Sequence, residues 1–432
     1  MTQKEALKIL ESGHNVLLTG PAGSGKTYLL EKFIRLLKKQ GIGVAVTAST
    51  GIAATHIGGR TIHSWAGIGI KDSLTHKQLQ SIAKKPYMKK QLEGMEVLVI
   101  DEISMLHSYH LDMVDMVCRE IKRNELPFGG LQVVMSGDFF QLPPVSSEAG
   151  EADFVYKSRV WQEMDVQICY LEEQHRHSGG EIARLLEEMR GQKLSAQSRT
   201  SLLSRLAARP EKVRPVRLYT HNEDVDRINA IELSKIDGEE HVYNMTGFGD
   251  KTLVESLKKN CLAPEKLILK LGARVMFVKN KYEEDKTVYV NGSTGEVVGF
   301  SDEHLPAVRL DGGETVIVSP DAWTVDDEES ILARIDQIPL RLAWAITVHK
   351  SQGMTLDSAE IDLSRCFGYG MGYVALSRLR NLSGLYLLGI NEFAYRLDPQ
   401  VHEFDQVLLA LSHKASEGIK IKKRFKQASF LR

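Results

Sequence analysis

The chain has 432 residues, 43% of them hydrophobic and 26% charged, the balance of an ordinary globular protein, which excludes a disordered tail, a collagen and a coiled-coil rod. No run approaches the roughly 18 consecutive apolar residues of a membrane-spanning helix, so no helical membrane protein is expected. Lys and Arg number 55 against 56 Asp and Glu; a net charge of −1 permits a basic groove but not a protein that coats nucleic acid by bulk charge.

The opening segment MTQKEALKILESGHN has neither an apolar signal core nor an Arg-rich transit pattern. A cytoplasmic location is therefore expected. Cys118, Cys169, Cys261 and Cys366 are too widely spaced for a zinc ribbon or a disulfide framework. Residues 16–19 read as a buried strand that runs into a glycine-rich turn. Residues 28–39 read as a helix, with Leu29, Leu30, Phe33, Ile34 and Leu37 on one face. Further strands are expected at 44–46, 97–100, 131–135 and 166–171. Apolar strands without alternation, separated by helices, imply a parallel sheet covered on both faces.

Near residue 176 the pattern changes. A helix is expected at 181–191 and a strand at 216–219. Closely spaced short strands follow at 266–279, 294–300, 307–310 and 315–318, punctuated by Gly272, Asn291-Gly292, Gly295 and Asp311-Gly312-Gly313. They suggest a small antiparallel β-barrel. Apolar α/β character returns at 340–348, 359–363 and 385–389, so the barrel reads as an insertion into a second α/β domain. The basic stretch 419–426 reads as a solvated tail, with a nucleic-acid contact as the alternative.

The sharpest local pattern is Gly20-Pro21-Ala22-Gly23-Ser24-Gly25-Lys26-Thr27, a phosphate-binding loop between a strand and a helix. Its glycines let backbone N–H groups close around phosphates, and the helix N-terminus adds positive potential. Lys26 is expected on the β- and γ-phosphates and the Thr27 hydroxyl on Mg²⁺. The strand at 97–100 delivers Asp101 and Glu102 to the sheet edge where ligands bind. Asp101 is the expected second metal residue, and Glu102 the general base or water orienter. In Ser136-Gly137-Asp138-Phe139-Phe140-Gln141-Leu142-Pro143-Pro144, Gln141 has the reach to touch a γ-phosphate or the attacking water. Arg176 and Arg378 are candidates for stabilising transition-state charge.

These segments, with TASTGIAA (47–54), DEIS (101–104), TVHKSQG (347–353) and YVALSR (373–378), occur in the order of the superfamily 1B helicase motifs. The stretch 109–123 followed by PFGG (127–130) narrows the likeness: the chain resembles the petite integration frequency (PIF) family over roughly residues 1–395. The resemblance implies an α/β fold of two RecA-like, P-loop NTPase motor domains. The first would span 1–175, with a wedge insertion within about 64–90. The second would span 176–240 and 336–400, interrupted by the small β-barrel at 241–335. A helical, basic tail would occupy 401–432.

It also implies ATP and Mg²⁺ as cofactors and 5′-to-3′ translocation on single-stranded DNA. Duplex unwinding would follow, with forked DNA, G-quadruplexes and RNA–DNA hybrids as further substrates, in replication, repair or recombination. Gln3 would contact adenine, Gly353 would approach the γ-phosphate, and Arg176 and Arg378 would be the arginine fingers. DNA would lie on Thr47, Ser49, Thr50, Thr61 and His63 of the first motor and on His349, Lys350 and Ser351 of the second, with Trp65 and Phe139 stacking on bases. With almost nothing before Gln3, a compact bacterial or phage-type core is expected. No membrane partner is expected; the protein would be a monomer in solution, with a DNA-induced dimer as the alternative. Other classes fit less well. A guanine-nucleotide switch lacks an N-K-x-D stretch, and a DNA-binding module with a vestigial site would not keep Lys26, Thr27, Asp101 and Glu102 together. A RecD-like helicase, or a translocase that does not unwind, is the alternative within the enzyme class.

Overall fold

A computed structural model of the chain describes residues 1–69, 71–144, 152–173, 180–206, 208, 215–279, 281–283, 286–289, 293–327 and 330–429. The chain forms two compact units. The first comprises Met1–Leu202, Phe367–Leu382 and Glu392–Arg432; the second comprises Leu203–Cys366 and Ser383–Asn391.

The first unit is built on six strands: β1 (Asn15–Thr19), β2 (Val44–Ala48), β3 (Arg60–Thr61), β4 (Val97–Asp101), β5 (Gln132–Ser136) and β6 (Val166–Tyr170). They pair in parallel in the order β3-β2-β4-β5-β1-β6. Every residue of β4 is buried, as expected for a strand covered on both faces. The helix Lys26–Lys39 buries Leu29, Leu30, Phe33, Ile34 and Leu37 against the sheet and carries Lys38 and Lys39 in its last turn, where cations suit the helix dipole. Because β4, β5 and β1 are neighbours, the loops that leave their C-terminal ends converge at one place.

The expected wedge region is helical among the described residues: Ile62–Trp65, His76–Ala83 and Pro86–Glu93. Thr75 and Gln78 form a capping box on the second of these, and Pro86 opens the third. The family-like stretch at 109–123 lies in the helix Ser108–Lys122. Its buried Asp115 accepts from Arg119 Nε at 2.9 Å and from the Phe128 N–H at 2.7 Å. One carboxylate thus pins the PFGG turn to the helix.

Three features depart from the expected boundaries. The helices Glu181–Arg190 and Met371–Ser377 belong to the first unit, and so does the C-terminal helix Pro399–Ser429. That last helix, expected as a helical, basic tail over 401–432, is docked along its first part. Val401 and Leu408 are buried, Phe404 stacks on Tyr156 at 3.9 Å, and Ser412 Oγ accepts the Tyr170 N–H at 3.0 Å. Tyr170 lies on edge strand β6, so the helix covers backbone that would otherwise offer a pairing edge.

The second unit has a parallel sheet of Ala345–Thr347, Val216–Tyr219, Ala359–Leu363 and Leu385–Ile390, in that order. The inserted region holds an antiparallel sheet ordered Thr315–Ile317, Pro306–Leu310, Thr294–Phe300, Arg274–Phe277 and Leu340–Leu342. A three-stranded sheet joins Asp321–Asp327, Ser330–Gln337 and Thr246–Gly249. The insertion therefore runs past residue 335. Leu340–Leu342 pairs with Arg274–Phe277, and the parallel sheet resumes only at Ala345. Val275, Phe277, Val297, Val308 and Leu340 form its core.

Candidate functional site

The phosphate loop leaves β1 through Gly20 at φ +137°. A Cβ there would lie 2.4 Å from the Leu171 carbonyl oxygen, and Leu171 is itself held to Thr19 O at 2.8 Å. Both the backbone angle and the close approach demand glycine. Gly20→Ala is expected to destabilise the fold by about 1–3 kcal/mol, read as a lower urea midpoint; an unchanged midpoint would contradict this packing. Gly23 and Gly25 also take positive φ, and Gly25 caps the following helix.

Lys26 is half-buried, and its Nζ donates to the Gly20 and Pro21 carbonyls at 2.8 and 3.0 Å. Burial lowers its pKa; the nearby Asp138, Glu102 and Asp101 carboxylates act against that shift. Thr27 is exposed at the helix start. Gln3 reaches the loop from the N-terminal helix, its Nε2 lying 3.4 Å from Ser24 O.

Asp101 closes β4 and is 6% exposed. Burial raises its pKa, while the Glu102 N–H, the Ser136 hydroxyl and Lys26 favour its charged form. Glu102 adopts left-handed φ +50°, ψ +47°, a conformation costing a non-glycine residue roughly 1–2 kcal/mol. The turn directs this residue out of the strand, and it is held: the Ser49 hydroxyl donates to Glu102 O at 2.7 Å and the Ser49 N–H to Asp101 O at 3.1 Å. From β5, the Gly137 N–H donates to Leu18 O at 3.1 Å, which keeps the Asp138–Gln141 loop beside the phosphate loop. Gln141 is buried, and its N–H donates to Asp138 O. The loops at the ends of three adjacent strands thus bring together Lys26, the Asp101, Glu102 and Asp138 carboxylates and the Gln141 amide, residue types suited to phosphoryl transfer to water. The Thr27 hydroxyl and the Asp101 carboxylate are hard oxygen donors that suit Mg²⁺.

The other expected residues are distributed as follows. Arg378 is 2% exposed, its Nε donating to Val374 O at 3.0 Å and Nη2 to Ser377 Oγ at 2.7 Å. Arg176 lies outside the described residues. Gly353 is exposed at φ +80° in the second unit.

Several expected DNA contacts are corrected by burial. The Thr47 hydroxyl is fully buried on Val99 O at 2.6 Å, and Ser351 is fully buried on Val348 O at 2.7 Å. Trp65 and Phe139 are each 3% exposed. Phe139 sits edge-on to Phe154, Tyr156 and Phe404, so both rings are core and present no face to a base. Ser49 is committed to the Glu102 turn. Thr50 and Thr61 cap short helices through Ala53 and Ser64. His63 is half-buried beside His110, with ring centroids 4.4 Å apart. His349 and Lys350 are half-buried with pKa values lowered by burial, His221 adding to the first and Arg341 to the second.

Sequence reasoning missed the network behind the site: Arg190, Asp138, Tyr373, Tyr170 and Asp405. Asp138 and Tyr373 lie inside quoted motifs and could have been flagged as polar residues in apolar surroundings. Arg190 carried no signal beyond that of a basic residue ending a helix.

A model described as PIF1-like helicase matches residues 2–192, and one described as the 2B domain of DNA helicase Pif1 matches 252–300. The chain is 43% identical to the ATP-dependent DNA helicase Pif1 of Psychrobacter sp., over 97% of this chain and 72% of that one. It spans less than two thirds of the vertebrate relatives it matches. Among solved structures, the Pif1 helicase of Candida albicans superposes with a TM-score of 0.82 at 34% identity, over 94% of this chain and 98% of that one. A Bacteroides Pif1 bound to single-stranded DNA gives 0.70 at 32%, over 94% and 96%. With these matches, the chain belongs to the PIF1-like helicase family.

Proposed function

We propose that the protein is an ATP-dependent DNA helicase that hydrolyses ATP at the phosphate loop to move 5′ to 3′ along single-stranded DNA, separating duplex ahead of it. The observation that carries this reading is the convergence of Lys26, Asp101, Glu102 and the Asp138–Gln141 loop at the ends of β1, β4 and β5. Lys26 would leave its carbonyl partners for the β- and γ-phosphates. Glu102 would take the proton of the attacking water, and Gln141 would orient that water. Thr27 and Asp101 would hold Mg²⁺, which supplies positive charge beside the phosphates when bound. Gln3 would border the adenine. Arg378 and Arg176 would stabilise the γ-phosphate in the transition state, and Gly353 would approach it through its N–H.

For the strand, the proposed contacts are Thr50, Thr61, His63, His349 and Lys350, which grip phosphates without reading sequence. Forked DNA, G-quadruplexes and RNA–DNA hybrids are the proposed further substrates, in replication, repair or recombination within the cytoplasm. The proposed solution state is a monomer. Duplexes carrying a 5′ or a 3′ single-stranded tail test the polarity. Unwinding of the 5′-tailed duplex alone, with binding that weakens steeply as salt rises, is expected; preference for the 3′ tail would overturn the reading.

A further inference from the structure

The side chain of Arg190 ends the helix Glu181–Arg190 and is 11% exposed. Nη1 donates to Asp138 Oδ1 at 2.8 Å and to the Tyr373 hydroxyl at 3.2 Å. Nη2 donates to the Tyr170 hydroxyl at 2.6 Å and to Asp405 Oδ1 at 3.2 Å. The guanidinium also lies 4.2 Å from the centre of the Phe140 ring. Tyr373 extends this cluster to the phosphate loop: its hydroxyl donates to Asp138 Oδ2 at 3.1 Å and accepts the Ala22 N–H at 3.4 Å. One hydroxyl therefore separates the Asp138 carboxylate from the loop that carries Lys26.

The charges decide what this arrangement does. Asp138 is 1% exposed, and a buried carboxylate that loses its cation is left as an uncompensated charge that favours any cation near it. Asp138 lies one hydroxyl from the phosphate loop, through Tyr373; its carboxylate favours the charged form of Lys26, and Arg190 opposes it. Lys26 rests on the Gly20 and Pro21 carbonyls rather than on a carboxylate. On the far side, Asp405 of the C-terminal helix shares Arg190 with Asp138. Arg190 is thus the cation that holds both Asp138 and Asp405.

We propose that Arg190 is a positioning residue for ATP binding: by holding Asp138 it keeps that carboxylate from capturing Lys26, so that the lysine stays on the loop carbonyls and free to turn to a phosphate. This rests on the assignment of Lys26 to the nucleotide phosphates. It differs from a purely structural role for Arg190 because the damage caused by losing Arg190 is reversible by neutralising Asp138.

The test is equilibrium binding of a fluorescent ATP analogue with Mg²⁺ to Arg190→Gln, Asp138→Asn and the double variant, with urea unfolding of each. Arg190→Gln is expected to weaken nucleotide binding about tenfold or more, and Asp138→Asn in that background to restore it to within about threefold of the wild type. A double variant that binds no better than Arg190→Gln, or an Arg190→Gln protein that binds normally, overturns the proposal. Should the glutamine variant not fold, Arg190→Lys decides, because it keeps the charge and loses the forked geometry. Affinity near that of the wild type supports the charge role, and weakened affinity in a folded protein overturns it. Lys26→Ala in the same assay separates the two levels. If it binds nucleotide like the wild type, the phosphate-loop assignment fails and takes this inference with it.

Discussion

Lys26→Ala is expected to lower ATP hydrolysis by about a hundredfold to a thousandfold, the loss typical when one preorganised charge is removed from a phosphoryl-transfer site. The urea midpoint should move little. Among the described residues the Nζ atom donates to two loop carbonyls, Gly20 O and Pro21 O, and the loop conformation is set by glycines and by the approach of Gly20 to Leu171. Binding to single-stranded DNA should persist. Steady-state hydrolysis and a DNA-binding titration on the same preparation check both halves; turnover near the wild-type rate would contradict the role assigned to Lys26.

Glu102→Gln should separate binding from chemistry. The substitution keeps the shape and the left-handed turn, which is held through backbone groups by Ser49. What it removes is the proposed base, and removal of a positioned base costs typically about 10²–10⁴ in rate. ATP affinity should stay within about threefold of the wild type, because the phosphate cradle, Lys26 and Thr27 are untouched. A fluorescent-nucleotide titration beside single-turnover hydrolysis reads the two effects apart. Weak binding with normal single-turnover chemistry would assign Glu102 to substrate binding instead.

The parts of the fold legible in the sequence are those fixed by local pattern. The glycines of 20–25 must form a loop wherever the chain folds, and Val97–Asp101 is apolar enough to be a buried strand on its own account. Thr294–Phe300 falls where its turn residues place it. The parts that were not legible depend on partners distant in sequence. Leu340–Leu342 looks like the start of an α/β strand until Arg274–Phe277 is there to pair with it. Residues 399–412 look like the approach to a tail until edge strand β6 offers Tyr170.

Side-chain roles divide in the same way. Lys26, Asp101 and Glu102 are placed by the loops that carry them. Trp65 and Phe139 sit in motif-like segments beside a sheet edge, yet neighbouring aromatic and aliphatic side chains absorb them into the core. Arg190 gains its meaning from partners distant in sequence, among them Asp138 and Asp405, 52 and 215 residues away.

The most direct test of the central claim is the rate of ATP hydrolysis measured with and without single-stranded DNA, with Lys26→Ala as the control. Strong stimulation by DNA that vanishes in the variant is the predicted result. Hydrolysis that depends on Lys26 but is indifferent to DNA would contradict the coupling of this site to a DNA track.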